Sequence, residues 1–177
     1  MPPWRATDQP AAGLPPYGDN MAGTTISSPH FTGITISSTA SSNPVSILGA
    51  GTISVSSGIA LYAQGGASQA WSITNSGLIS ATAAAGVGIK LGSPNSLVGA
   101  SIITNETGGT ITGLNGIKLY GNTAISVTNA QGAIIDATSL SGDAISSNGA
   151  FNHITNFGTI SAVGSAKTAI ILSSGGY

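Results

Sequence analysis

The chain carries few side chains able to do acid, base or metal chemistry, so their spacing decides what they can do. The acids are Asp8, Asp19, Glu106, Asp136 and Asp143, the histidines His30 and His153, and the cations Arg5, Lys90, Lys118 and Lys167. Hydrolysis of a glycosidic bond needs two carboxylates facing one linkage. Here no two acids recur at equivalent repeat positions. Asp136 and Asp143 flank one loop and could meet across it, but Asp more commonly serves a turn by bonding nearby backbone. Neither histidine has a Glu or a second His at ligand spacing. There is no cysteine, which removes disulfides and thiolate metal sites. No Gly-x-Ser-x-Gly elbow raises a serine nucleophile, and no Gly/Asp-rich calcium nonapeptide is present. The expectation is a protein with no catalytic residues, no cofactor and no metal.

The elements that hold these residues follow from composition and repetition. The chain has 177 residues, a net charge of −1 and only 5% charged residues, against roughly 25% in an average soluble protein. That excludes the basic footprint of a nucleic-acid partner. No apolar run approaches the ~18 residues of a membrane span, so no membrane insertion is expected. Isoleucine is abundant and regularly spaced, which argues for a packed core rather than disorder. Residues 1–22 differ from the rest: they hold Pro2, Pro3, Pro10, Pro15 and Pro16, and proline cannot donate to a sheet ladder. They read as an extended leader or arm before a single domain at 23–177. The opening residues lack the apolar stretch of a secretory signal, so an exported chain would use another route, a signal already removed or one lying outside these residues.

From residue 23 the chain repeats itself. Ile/Val-Thr-Asn occurs at Ile73-Thr74-Asn75, Ile103-Thr104-Asn105, Val127-Thr128-Asn129 and Ile154-Thr155-Asn156. The asparagines stand at 75, 105, 129 and 156, in steps of 30, 24 and 27. Each copy, a type B strand, leads through a glycine into a type C strand such as Leu78-Ile79-Ser80 or Thr159-Ile160-Ser161. Type A strands read Gly-Ile-x-Leu, with isoleucines at 34, 59, 89, 117, 145 and 170. Self-similarity at this period marks a solenoid. Three short strands per coil predict an all-β, single-chain parallel β-helix of about five to six coils. Ile79, Ile111, Ile134 and Ile160 are expected to form one inward column. Ile47-Leu48-Gly49 is read as an early type B copy and Thr25-Ile26-Ser27 as the first type C strand. A conventional sandwich would not require same-sequence strands to recur once per coil.

Asparagine suits a strand-to-strand corner because it tolerates left-handed backbone. Stacked in register, Asn75, Asn105, Asn129 and Asn156 can also bond amide to amide. They are therefore expected to be structural. On the type C strands an uncharged outer stripe is predicted from Thr25, Ser27, Thr52, Ser54, Ser80, Thr110, Thr112, Thr159 and Ser161, interrupted by Leu78, Ala133 and Ile135. Such a stripe could meet another solenoid, a glycan or ice. Lys90 and Lys118 fall at one outward position on neighbouring coils, about 4.8 Å apart. They could clamp an anion, although solvation is the simpler account.

Ile-Thr-Asn-x-Gly-x-Ile-Ser followed by Gly-Ile-x-Leu resembles the repeats of autotransporter passenger domains and haemagglutinin-type exoproteins, over about residues 23–173. The resemblance implies a right-handed parallel β-helix and a place outside the cell or on a bacterial surface. The reading starts the solenoid on a type C strand and ends it on a type A strand, with no charged cap at either end. That phase predicts head-to-tail stacking of copies, with the leader taking the place of the missing B strand. Trp4, Tyr17, Ile26, Ile170, Leu172 and Tyr177 are the candidate self-association residues. The expected role is a non-catalytic structural or adhesive solenoid whose partners are itself and, secondarily, glycans or host and abiotic surfaces. The alternatives are a fragment of a longer adhesin passenger and a glycan-binding solenoid of the tailspike or lyase kind.

Overall fold

The computed structural model describes residues 23–37, 42–66, 69–82, 85–163 and 168–176. These form an all-β solenoid with three strands per coil, every strand pairing in parallel with its counterpart one coil away. Face B carries β1 (Thr24–Ile26), β4 (Val45–Ile47), β7 (Ser72–Asn75), β10 (Ser101–Asn105), β13 (Ile125–Asn129) and the end of β15 (Ile145–Asn156). Face C carries β2 (Pro29–His30), β5 (Thr52–Val55), β8 (Leu78–Ala81), β11 (Thr110–Gly113), β14 (Ile134–Ala137) and β16 (Thr159–Ala162). Face A carries β3 (Ile34–Ile36), β6 (Ile59–Ala63), β9 (Val87–Leu91), β12 (Asn115–Leu119), the start of β15 and β17 (Ile170–Gly176). Coils thus run B, C, A, and β15 turns the A-to-B corner without leaving extended backbone.

Alternation within each strand sends one residue set inward. On face C the inward column is Ile53, Ile79, Ile111, Ile135 and Ile160. On face A it is Ile34, Leu61, Ile89, Ile117, Ile145 and Ile170. Ile79, Ile89, Ile111 and Ile117 are fully buried, each contributing about 1.5–3 kcal/mol. The glycine of Gly-Ile-x-Leu has a steric cause. A Cβ on Gly88 would lie 2.6 Å from the Gly116 carbonyl oxygen, and one on Gly116 would lie 2.7 Å from that of Ala144.

Several sequence expectations shift in register. Ile134 points outward at 41% exposure, and Ile135 fills the column at 0%. The turn before β14 is as long as the one before β11: Gly132 (φ 76°) is the counterpart of Gly108 (φ 84°), and Ala133 takes the place of Gly109. Aligning Gly132 with Gly109 slips the strand by one residue, which exchanges its two faces. Leu61, not Ile59, joins the face A column. That slip is two residues, so inward and outward are preserved. Ile47 pairs with Asn75, making Val45-Ser46-Ile47 the early copy of Ile-Thr-Asn.

The entry strand also changes. Thr24–Ile26 pairs with Val45–Ile47 on face B, and Pro29–His30 takes the first position on face C. Thr-Ile-Ser reads alike on either face, while Pro-His carries no aliphatic signal. Thr25 therefore lies on face B, and Ser27 lies outside the strands. The described coils begin on B and end on A, so no B strand is missing between them. Trp4, Tyr17 and Tyr177 lie outside the described residues, as do Arg5, Asp8, Asp19 and Lys167. Ile26, offered as a contact residue, is only 2% exposed.

The corrected register is testable with two adjacent substitutions. Ile134→Lys should leave stability within about 0.5 kcal/mol of the parent. Ile135→Lys buries an unpaired charge and should cost about 4 kcal/mol or more. Thermal denaturation followed by circular dichroism separates the two, and the reverse order would contradict the register.

Candidate functional site

Asn75, Asn105 and Asn129 are fully buried at the B-to-C corner. Each Nδ2 donates to the Oδ1 of the next: Asn75 to Asn105 at 2.8 Å, Asn105 to Asn129 at 2.9 Å and Asn129 to Asn156 at 2.8 Å. The same nitrogen also reaches two carbonyls. For Asn105 these are Gly109 O in its own turn at 3.1 Å and Ile134 O one coil on at 3.0 Å. The ladder therefore ties backbone to backbone across coils, and the Nδ2 groups of Asn75, Asn105 and Asn129 are fully engaged within it. In the first two coils Ile26 and Ile47 replace it. At the other end Asn156 is exposed, and among the described residues its Nδ2 donates to Gly158 O alone.

The acids are dispersed. Glu106 accepts from the Ser76 hydroxyl at a B-to-C corner. Asp136 stands on strand β14 of face C, not in a turn, and accepts from Ser161 Oγ at 2.7 Å. Asp143 accepts from the Thr168 amide at 3.3 Å. Among the described residues no group of three or more His, Asp or Glu could hold a metal ion. A shallow cavity of about 230 Å³ lies beside Phe31, Thr32, Gly33, Val55, Ser56 and Ser57. It has no titratable side chain in its lining.

The outer faces are more regular than the charged groups. On face C, Thr52, Thr110 and Thr159 share a column with Pro29, Leu78 and Ile134. Ser54, Ser80, Thr112 and Ser161 share the other with Asp136. The predicted column therefore exists without Thr25 and Ser27, but it is mixed with apolar and acidic side chains and is covered in its middle, where Ser80 is 8% exposed and the Thr112 hydroxyl is buried. Face B holds a cleaner one that the motif reading passed over: Thr25, Ser46, Thr74, Thr104, Thr128 and Thr155 stand in one unbroken register. Its signal was the middle letter of Ile-Thr-Asn, threonine in all four copies. On face A, Lys90 and Lys118 pair directly. The Lys90 ammonium lies 5.2 Å from the Tyr62 ring centroid and 5.7 Å from that of Tyr120.

Fold and site together define a three-sided parallel β-solenoid with a buried asparagine ladder and hydroxyl-bearing outer faces. No protein-family model, no curated protein and no solved structure matches the chain.

If the ladder is structural, its cost should depend on depth. Asn105→Ala removes the acceptor of Asn75 and the donor to Asn129, Gly109 and Ile134, and should cost about 3 kcal/mol. Asn156→Ala, at the exposed end, should cost about 1 kcal/mol. Urea titration of both variants checks the ratio. Equal effects would speak against a cooperative ladder.

Proposed function

We propose that this chain is a non-catalytic structural and adhesive solenoid of the cell exterior that associates end to end. The observation that carries the reading is the contrast between its two end rungs. On the first described rung the inward Ile26 and Ile36 are buried, and Ile34 alone of the inward aliphatic side chains is partly buried. On the sixth, Ile154, Ile160, Ala162 and Ile170 are only partly buried against the core. Asn156 there accepts from Asn129 but, among the described residues, donates to no further coil as Asn75, Asn105 and Asn129 do. A rung of this kind presents unpaired backbone, apolar side chains and an open amide to one further coil, which is a template for strand addition.

Strand phase supports the same reading, because a sixth-coil A strand is followed in the repeat by a B strand, and β1 is one. A contact between unlike ends does not close on itself and so propagates. One element opposes it. The Thr52 and Leu78 amides bond back to the preceding coil, so the nitrogen of Pro29, in the same column, faces the free edge without a proton. Proline at an edge is a device against pairing. The external setting draws support from the resemblance of the repeats to secreted exoproteins and from the uncharged hydroxyl column of face B.

Sedimentation and negative-stain electron microscopy over a wide concentration range test the proposal. The expected result is rods of constant width whose length grows with concentration. Pro29→Thr restores the missing donor and should lengthen them. Ile160→Lys places charge on the open rung and should shorten them. A persistent 17.2 kDa monomer would overturn the reading, leaving further coils of a longer chain to cover the rung.

A further inference from the structure

We propose that face A carries a binding site for an anionic glycan, built from Tyr62, Lys90, Lys118 and Tyr120. It names a ligand for the adhesive role but does not depend on end-to-end association. Tyr62, Lys90 and Lys118 occupy one outward column on three successive coils. Tyr120 follows two residues after Lys118, beside Gly92, where the neighbouring coil has no side chain and takes φ 65°. That gap lets the Tyr120 ring approach Lys90. The ammonium is thus shared between two aromatic rings, whose faces attract a cation. A lysine normally loses much rotamer freedom on binding. This one is already positioned.

The charges point to an anion. Like charges opposite one another on adjacent strands are unfavourable, yet Lys90 and Lys118 stand in register. The described acids are engaged elsewhere: Glu106 with Ser76, Asp136 with Ser161, Asp143 with the Thr168 amide. A carboxylate or sulfate between the ammonium groups would relieve their repulsion. The tyrosine hydroxyls add two neutral donors, suited to sugar hydroxyls. From Tyr62 to Lys118 the column spans two coil intervals, roughly 10 Å, the extent of a short stretch of linked sugar rings. Two cations are too few for a nucleic acid, whose affinity comes from many neutralised phosphates.

The test uses the full chain with oligogalacturonate and a sulfated oligosaccharide as probes. A neutral oligosaccharide of similar length and a DNA oligonucleotide serve as comparators, and binding is read by titration calorimetry. The expected result is salt-sensitive binding of one or both anionic glycans and none of the neutral one. Lys90→Gln with Lys118→Gln should weaken it about tenfold or more, and Tyr120→Leu, which unclasps Lys90, should weaken it less. All three side chains face outward and are only half-buried, and circular dichroism confirms folding. Ile160→Lys should bind as the parent does, which separates this site from end-to-end association. Absence of binding to both anionic glycans, equal binding after both lysines are replaced, or equal or tighter binding of DNA would overturn the proposal.

Discussion

A buried asparagine side chain must find partners for its donors and acceptors, and here the next coil supplies them. Leaving one such group unpaired in the interior costs about 1–3 kcal/mol, comparable to the gain from burying an isoleucine. Asn75, Asn105 and Asn129 are therefore tolerable only where successive coils superimpose residue for residue. That condition places Ile79 over Ile111 and Ile111 over Ile135, and Leu61, Ile89 and Ile117 in one column. The apolar columns supply most of the driving force. The ladder selects the register in which they are used.

The residues that carry the ladder were legible in the sequence because their chemistry and spacing repeat together. Asn75, Asn105, Asn129 and Asn156 are in register as their motif implies. The Gly-Ile-Lys-Leu pairs at Lys90 and Lys118 are as well. What escaped the reading has specific physical causes. Ile134 and Ile135 are adjacent and chemically alike, so only the turn length before them decides which is inside. Gly58, with φ 78°, is a turn glycine that imitates the one opening a type A strand. Thr25-Ile26-Ser27 fits face B or face C equally well by alternation alone. Pro29-His30 pairs through its backbone and offers no hydrophobic pattern to find. Trp71, 1% exposed with Nε1 donating to Gln64 O, belongs to an A-to-B connection that the repeat does not share.

Once the interior is committed to stacking, chemistry is left to the outer faces and the end rungs. Face B repeats a short hydroxyl from coil to coil, because a residue outside the ladder still inherits its register. Face A inherits the same constraint and so brings two lysines together, with Tyr62 and Tyr120 on either side of Lys90. The sixth rung inherits it as an interrupted pattern, with Asn156 still oriented for a further coil. Pro29 acts on the opposite rung by removing a single amide proton. The proposed association and the proposed glycan site thus have one origin: parallel in-register pairing makes each side chain a member of a column.

The absence of cysteine allows that register to be measured directly by placing spin labels at Thr25→Cys and Thr155→Cys and recording their dipolar coupling. Six in-register coils put these positions on one face B column, five intervals apart. The expected distance distribution is narrow and centred at roughly 24 Å, before allowance for label length. Intermediate pairs such as Thr74→Cys with Thr155→Cys should give proportionally shorter distances. A broad distribution, or one that does not scale with the number of intervening coils, would contradict the stacked solenoid.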